Sequence, residues 1–203
     1  YPPTIFASTI WVGGKTPDGN FRVAGTTYRS QNDNFDYYPG PLDENGNTYE
    51  ENCRNWDKSF EVNGGEIQSM KINYDNNIFI GVDCDKIPQS IRYWPAKGNP
   101  YWNEKYGFDL PDQELATFYD YDNDGIYDPC KGDLPSLKFV SKSHEFQSPE
   151  VVINTFPSQV LFWIINDNGG PHRLSAGHHI KMELHFYTYG YKGEKDIDNT
   201  SFI

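Results

Sequence analysis

The sequence contains no uninterrupted run of 18 apolar residues, so it is predicted to have no helix that crosses a membrane. Basic residues are scarce as well, because 17 Lys and Arg stand against 29 Asp and Glu and leave a net charge of -12. A protein that binds nucleic acid needs a basic face for the phosphates, so nucleic acid is excluded from the predicted partners. Acidity of this degree instead suits a protein that holds calcium outside cells.

Cysteine occurs only at Cys53, Cys84 and Cys130, and no two of these form a C-x-x-C pair. This spacing disfavours a structural zinc cluster. One disulfide is possible among three pairings, and the third cysteine is then free or bonded to another chain. A bond between Cys84 and Cys130 would pin the acidic segment that precedes Cys130 to the neighbourhood of Asp83 and Asp85.

The motifs of common hydrolases are missing too. The chain has neither the Gly-x-Ser-x-Gly pattern of a nucleophile elbow nor the His-Glu-x-x-His pattern of a metalloprotease helix. A glycosidase needs two carboxylates beside one sugar bond, but among 29 acidic residues such a pair has no diagnostic value. A second metal site for zinc or another transition ion has five candidate ligands, which are His172, His178, His179, Glu183 and His185. Their spacing matches no diagnostic ligand pattern, so a hydrogen-bonding role is preferred and no enzymatic activity is predicted.

Aromatic residues and turn formers, by contrast, are abundant. Phe, Trp and Tyr make up 16% of the chain, which also contains 18 Gly and 14 Pro, and this mixture favours strands joined by turns. The sequence therefore predicts a mostly β fold. We expect one β-sandwich-like domain over residues 1–203, with long ordered loops, a calcium loop and one or two short helices.

Apolar runs locate the predicted elements. Strands are predicted at 5–12, 21–28, 56–62, 159–165 and 180–189, with a hairpin turn at 16–20 and short helices at 64–73 and 87–94. The run at 159–165 is continuous, so this strand is expected to be buried on both faces and to neighbour 180–189 at the centre of a sheet. Residues 31–55 show no sustained period and are predicted to form a long ordered excursion.

The segment 180–189 alternates most cleanly between apolar and polar residues. The inward side chains are expected to be Ile180, Met182, Leu184 and Phe186, and the outward ones Lys181, Glu183, His185 and Tyr187. A further strand starts at 200–203, so the domain is expected to be incomplete at its C-terminal end. The open edge would then be covered by the parent chain or by another subunit.

The most informative stretch is the acidic segment Asp120-Tyr121-Asp122-Asn123-Asp124-Gly125-Ile126-Tyr127-Asp128. Carboxylates at positions 1, 3, 5 and 9 and glycine at 6 allow a short loop to turn its oxygen atoms onto one hard cation, for which calcium is the natural choice. Gly125 permits the sharp reversal after the third carboxylate. Without a cation, four carboxylates so close in sequence repel one another.

This segment is similar to an EF-hand loop but is not an EF-hand. Lys131 stands where the bidentate glutamate is expected, and neither flank has the pattern of a helix pair. Asp133 can supply the missing carboxylate. The predicted Ca²⁺ ligands are therefore Asp120, Asp122, Asp124, the carbonyl of Ile126, Asp128 and Asp133. Since the site comes from one contiguous loop without switching helices, its role is predicted to be structural.

A loop-rich aromatic stretch precedes the acidic segment and contains Trp94, Tyr101, Trp102, Tyr106 and Phe108. Aromatic faces in such a stretch can stack on sugar rings, so a calcium-dependent carbohydrate-binding domain is the alternative function. The same side chains can instead pack beneath the long loops as a small core.

Four blocks of the sequence, in order, are similar to a known family. The blocks are Trp11-Val12-Gly13-Gly14 with Arg22-Val23-Ala24-Gly25-Thr26-Thr27-Tyr28-Arg29 and Tyr38-Pro39-Gly40-Pro41-Leu42-Asp43; Tyr93-Trp94-Pro95-Ala96-Lys97-Gly98-Asn99-Pro100; residues 120–135; and Phe162-Trp163-Ile164-Ile165-Asn166-Asp167 before Gly169 and His172. They resemble the N-terminal region of the very large secreted proteins of Bacteroidota that leave the cell by type IX secretion and usually end in a C-terminal sorting domain. The first and third blocks are the specific ones, and the resemblance covers nearly the whole chain.

This resemblance implies an extracellular or cell-surface location, a much longer parent polypeptide and a role in attachment, gliding or filament formation. Together with the acidic loop, it leads to the predicted function of a non-enzymatic, calcium-stabilised structural or adhesive module. The predicted partners are the rest of the parent chain or other subunits of a surface assembly, with glycans as partners under the alternative function.

Overall fold

The computed structural model of the protein describes residues 8–28, 34–76, 83–137, 156–192 and 201–202. These ranges are rich in strands and contain a few short helices, which confirms the predicted predominance of β-structure. The strands are β1 (Trp11–Lys15), β2 (Phe21–Gly25), β3 (Tyr38–Pro39), β4 (Phe60–Asn63), β5 (Phe118–Tyr119), β6 (Leu134–Pro135), β7 (Gln159–Asn166), β8 (Glu183–Gly190) and β9 (Ser201–Phe202). The helices are α1 (Glu50–Trp56), α2 (Gly64–Asn76), α3 (Gln89–Arg92) and α4 (Trp102–Tyr106), with a 3₁₀ turn at Cys84–Lys86.

Strand β7 lies at the centre of a five-stranded sheet. The strand order is β3-β7-β8-β9, and β4 pairs with β7 as well. Both β3 and β4 run antiparallel to β7, with β4 along its first half and β3 at its end. The prediction that 159–165 and 180–189 are neighbouring central strands is therefore confirmed. The β-sandwich arrangement stays a prediction.

The prediction that β7 is buried on both faces is wrong. Val160, Phe162 and Ile164 are at most 1% exposed, whereas the alternate residues Leu161 and Trp163 are only half-buried. A strand that alternates in this way has one face against a core and the other near the surface. The continuous apolar run reflects large side chains on both faces rather than complete burial.

Strand β8 begins later than predicted, at Glu183 instead of residue 180. Lys181 has a φ of 64°, which lies in the left-handed region and interrupts an extended chain just before the strand. The outward assignment of Tyr187 is also wrong, because Tyr187 is 8% exposed and its ring centroid lies 4.8 Å from that of Phe162.

The predicted hairpin is present as β1 and β2, which pair antiparallel over five residues each. The turn closes through a 2.8 Å hydrogen bond from the amide of Gly19, with a φ of 91°, to the carbonyl of Thr16. The first strand was predicted at 5–12, of which 5–7 lie outside the described residues. It instead continues to Lys15, since Gly13 and Gly14 still pair through their backbones.

Two helices lie where the sequence predicted none. Helix α1 occupies the end of the predicted excursion 31–55 and replaces the start of the predicted strand 56–62, which begins only at Phe60. It has seven residues and buries only Trp56, so the sequence shows no repeat of apolar residues at helical spacing there. Helix α4 lies within the predicted aromatic stretch and is followed by Gly107, whose φ of 75° suits a C-terminal cap.

The two predicted helices are confirmed with different boundaries. Helix α2 begins at Gly64 and extends to residue 76 rather than 73, and Asn63 caps it by accepting a 2.8 Å hydrogen bond from the amide of Gly65. Position 64 requires glycine, because a Cβ there would collide with the carbonyl oxygen of Pro157. Helix α3 forms within the predicted range 87–94.

Contacts group the chain into two compact units, one of residues 1–58 and 163–185 and the other of residues 59–162 and 186–203. The second unit has an aromatic core around Phe162, whose ring centroid lies 5.8 Å from that of Trp94 and 6.5 Å from that of Phe60. The ring of Phe60 in turn contacts that of Trp102 at 5.3 Å. The single domain over 1–203 stays a prediction.

Candidate metal centre

The acidic segment forms the loop of a small hairpin. Strands β5 and β6 pair antiparallel, with Phe118 opposite Pro135 and Tyr119 opposite Leu134. The residues between these strands therefore leave and re-enter one two-stranded sheet. This closure fixes both ends of the loop that carries the predicted calcium ligands.

Three of the predicted ligands lie together. One carboxylate oxygen from each of Asp120, Asp122 and Asp124 lies within 4.8 Å of the others. The loop reverses at Asn123 and Gly125, whose φ angles of 59° and 76° are both in the left-handed region. The glycine predicted to permit a sharp reversal is thus in the required conformation.

Backbone amides inside the loop hold these carboxylates in place. The amide of Gly125 donates to Asp120 Oδ2 at 2.9 Å, and the amide of Ile126 donates to Asp124 Oδ1 at 2.8 Å. Within the described residues, the other oxygen of Asp120, Oδ1, is buried and has no hydrogen-bond partner. A buried carboxylate oxygen without a partner is costly, and a metal ion is a fitting partner for it.

Asp133 stabilises the loop through two hydrogen bonds to backbone amides. It is completely buried, and its two oxygens accept hydrogen bonds from the amides of Tyr121, at 2.8 Å, and Asp128, at 2.7 Å. Burial raises the pKa of Asp133 to about 6, although these two hydrogen bonds act to lower it. Because its two oxygens bond the amides of Tyr121 and Asp128, the carboxylate links the beginning of the loop to its end.

Asp128 has a similar local contact, since its Oδ1 accepts a 2.9 Å hydrogen bond from the amide of Cys130. Neither Asp128 nor Asp133 belongs to the group of carboxylates that lie within 4.8 Å of one another. The side chain of Ile126 is 46% exposed and its amide belongs to the loop network described above. The six-residue ligand set stays a prediction, with Asp120, Asp122 and Asp124 as its geometric centre.

Lys131 places a positive charge beside these carboxylates. Its Nζ lies 3.0 Å from Asp124 Oδ2 and 3.8 Å from Asp122 Oδ2. The hydrogen bond from Lys131 lowers the pKa of the Asp124 carboxyl below its usual value. The ammonium therefore partly neutralises an acidic loop at the sequence position where an EF-hand has its glutamate.

A disulfide and a buried tyrosine anchor the loop. Cys84 and Cys130 are bonded across 46 positions of sequence, whereas Cys53 is free. Tyr127 is fully buried, and its hydroxyl donates a 2.7 Å hydrogen bond to the carbonyl of Ile91 in α3. Of the three pairings that the sequence leaves open, the structure has Cys84–Cys130.

Two of the five aromatic residues in the stretch before the loop are buried in the core. Trp94 and Trp102 are each 1% exposed, so neither offers a face to a sugar. The indole of Trp94 donates a 3.1 Å hydrogen bond to the carbonyl of Thr117. These two rings pack beneath loops, and the sugar-stacking role predicted for them has no structural support.

The histidines do not form a second metal site in the part of the chain that the structure describes. Both ring nitrogens of the buried His172 lie 2.7 Å from backbone carbonyl oxygens, those of Val23 and Asp167. The hydroxyl of Ser175 also donates to the carbonyl of Val23 and not to the imidazole. Since the Ser175 hydroxyl bonds this carbonyl, Ser175 and His172 do not form the hydrogen-bonded pair that nucleophilic catalysis needs.

Sequence reasoning missed two buried carboxylates in the first unit. Asp36 accepts hydrogen bonds from the amides of Gly25, at 3.0 Å, and Leu174, at 2.8 Å. Asp167 accepts them from the amides of Ile180, at 2.5 Å, and Met182, at 2.6 Å. Asp167 stands in an Asn-Asp-Asn-Gly-Gly turn signal that locates a turn, but only long-range folding reveals that its side chain is buried.

No helix in the described parts of the chain is both long and apolar enough to cross a membrane. Comparison of the chain with protein-family models, with curated proteins and with solved structures finds no match.

Proposed function

We propose that the protein is a non-enzymatic, calcium-stabilised structural or adhesive module of a large secreted protein at the cell surface or in a surface filament. The observation that carries this proposal is the grouping of the Asp120, Asp122 and Asp124 oxygens within 4.8 Å of one another, beside a buried carboxylate oxygen without a partner. Oxygen-only ligands on a tight loop are what Ca²⁺ prefers. The loop would hold the ion with side-chain oxygens at roughly 2.3–2.6 Å.

The chemistry of the loop favours a structural role. The three carboxylates come from one short segment whose ends are fixed by Asp133 and by the strands β5 and β6, which flank the loop directly. Calcium sensors convert binding into motion through a pair of helices that directly flank the loop, whereas this loop is flanked by paired strands. A bound ion would cancel repulsion among the carboxylates and thereby stiffen the region.

The disulfide between Cys84 and Cys130 supports an extracellular location. Disulfides form and persist mainly in oxidising compartments and outside cells. The acidic composition and the resemblance to type IX secreted proteins point in the same direction. The expected partners are other parts of a parent chain or other subunits of a surface assembly.

The test is thermal unfolding of the 203-residue chain in millimolar EGTA, Ca²⁺ or Mg²⁺, at constant ionic strength, with a calorimetric titration of Ca²⁺. A ligand present at about 100 times its Kd stabilises the folded state by about 2.7 kcal/mol, which corresponds to a melting temperature roughly 5–10 °C higher. Mg²⁺ should have little effect, because it resists dehydration and demands a tighter octahedron. An unchanged melting temperature together with a flat titration would disprove the calcium site.

A further inference from the structure

An open cleft of about 410 Å³ lies among β4, α2, α3 and α4 in the unit that contains the acidic loop. Its size falls within the range of small-molecule sites, roughly 300–1,000 Å³. None of its lining residues belongs to the segment 120–133. The cleft is therefore chemically separate from the candidate metal centre.

The aromatic part of the cleft is held in place by the core. The ring centroid of Tyr106 lies 4.1 Å from that of the buried Trp102 and 5.9 Å from that of Phe60. Phe60 is 5% exposed, and its ring also packs against that of Trp102. A wall that is already ordered loses little conformational entropy when a ligand binds.

Charged groups of both signs and neutral polar groups surround these aromatic rings. Glu66 accepts a 2.6 Å hydrogen bond from the hydroxyl of Ser90, and the amide side chain of Gln89 is exposed beside them. The ammonium of Lys105 lies 4.8 Å from the ring centroid of Tyr93 and 5.5 Å from that of Tyr106. Acceptors, an amide and an ammonium are thus grouped around two aromatic rings.

This set of groups selects among ligand classes. An anion would meet the carboxylates of Glu61 and Glu66, and a cation would meet Lys105. An apolar ligand would cover all of these polar groups without satisfying them, which is costly. A neutral polyhydroxylated ring avoids all three penalties, because its hydroxyls can donate and accept while its C–H face packs on a tyrosine ring.

We propose that this cleft binds the end of a neutral oligosaccharide, and that it does so without calcium. The Tyr93 and Tyr106 rings form the packing surface, and Glu66, Gln89 and Lys105 bond the hydroxyls. The proposal does not depend on the calcium site. It also places sugar recognition away from Trp94 and Trp102, whose faces are buried.

The test starts with the 203-residue chain on an array of neutral and charged mono- to hexasaccharides, in Ca²⁺ and in EGTA. The neutral sugar with the strongest signal is then titrated by calorimetry into the unmodified protein and its variants. Gln89→Ala and Lys105→Ala each remove one hydrogen-bonding group from an exposed side chain, so folding should be retained. Matched controls are Gln68→Ala and Lys71→Ala, which change exposed residues of α2 outside the cleft.

We expect a neutral sugar to bind equally in Ca²⁺ and EGTA, with Gln89→Ala and Lys105→Ala weakening its Kd by about tenfold each. Gln68→Ala and Lys71→Ala should leave the Kd unchanged. The proposal is overturned if no neutral sugar binds, if binding requires calcium, or if the two cleft variants bind as tightly as the two controls. Tyr106→Ala should also weaken binding, but its packing on Trp102 makes the exposed variants the decisive ones.

Discussion

Buried carboxylates in this protein stabilise loops by accepting backbone hydrogen bonds. Asp36 is completely buried and bonds the amides of Gly25, Leu174 and Ser175. Burial alone would raise the pKa of Asp36, but the hydrogen bonds from Ser175, Leu174 and Gly25 outweigh it and lower the pKa below 3.8. The ionised form is therefore favoured in the folded state.

The stability that Asp36 provides should depend on pH in a defined direction. Its pKa is lower in the folded than in the unfolded chain, so the contribution is complete well above 3.8 and is lost as the pH falls through the folded-state pKa. We expect Asp36→Asn to lower the free energy of unfolding by about 1–3 kcal/mol at neutral pH and by less near pH 3. Urea unfolding at both pH values measures this.

The control for Asp36→Asn is Asp57→Asn, which changes an exposed residue of the same unit. Its effect should stay within about 0.5 kcal/mol at either pH. An equal loss of stability for Asp36→Asn at neutral pH and at pH 3 would contradict the assigned role of the charge.

In the acidic loop, ligands and supporting residues should respond differently to substitution. Asp122→Ala with Asp124→Ala removes two of the three grouped carboxylates, so calcium should no longer raise the melting temperature. Both carboxylates are exposed, their ion pairs with Lys131 are worth about 0–1 kcal/mol, and water can replace Asp124 at the amide of the exposed Ile126, so the loss in EGTA should be small. Asp133→Ala leaves two amides without acceptors and should destabilise by about 1–3 kcal/mol in EGTA as well as in calcium.

Melting curves of the three proteins in EGTA and in Ca²⁺ distinguish these roles. A double variant that still gains stability from calcium would show that the Asp120, Asp122 and Asp124 group is not the site. The sequence predicted that group because its spacing is local. The sequence did not predict that Asp133 bonds Tyr121 and Asp128, because that depends on how the hairpin closes.

At the scale of elements, prediction succeeded where a pattern was long and regular. Strand β7 is a continuous apolar run, whereas strand β8, the hairpin of β1 and β2, and helix α2 have residues that follow one period. Helix α1 has a single buried residue, and α4 has only five residues, so neither has a period to recognise. The late start of β8 comes from the left-handed backbone of Lys181, which no sequence preference signals.

The disulfide should determine how firmly the acidic loop is anchored. The bond between Cys84 and Cys130 closes a loop of 46 positions, for which chain-entropy arguments give about 4 kcal/mol of stabilisation. We expect Cys84→Ser with Cys130→Ser to lower the melting temperature strongly and to weaken calcium binding, because Asp128 bonds the amide of Cys130. Differential scanning calorimetry and a calcium titration measure the two effects.

Cys53→Ser is the matched control, since Cys53 is free and forms no disulfide. Burial raises the pKa of the Cys53 thiol, so this residue should also react slowly with thiol reagents. Reductant should bring the unmodified protein to the melting temperature of the double serine variant. If reductant changes neither the melting temperature nor the calcium affinity, the disulfide has no anchoring role.

At the scale of the whole molecule, composition predicted the fold class but not its organisation. Abundant aromatic and turn-forming residues indicated strands, and the net charge of -12 indicated a protein that benefits from cations. The division into two compact units was not foreseen, because it depends on which strands pair over long sequence distances. Ordinary salt also screens repulsion in so acidic a chain, so calcium effects need a constant ionic strength for comparison.

The effect of calcium should extend from the acidic loop to the elements that the loop contacts. The acidic loop belongs to the unit of residues 59–162 and 186–203, and its contacts lead to α3 through Tyr127 and Ile91. Removal of calcium should therefore speed amide hydrogen exchange at residues 120–133 first and at α3 next. The β1–β2 hairpin has its own ladder of hydrogen bonds and should keep its exchange rates.

Hydrogen exchange followed by mass spectrometry, in Ca²⁺ and in EGTA, resolves these segments. The Asp122→Ala, Asp124→Ala variant serves as the control, because calcium should give it no protection anywhere. Protection spread evenly over the chain would mean that calcium acts on global stability or on net charge. Protection confined to 120–133 and α3 would mean that the ion stiffens one loop, which is what a structural calcium site in a surface module requires.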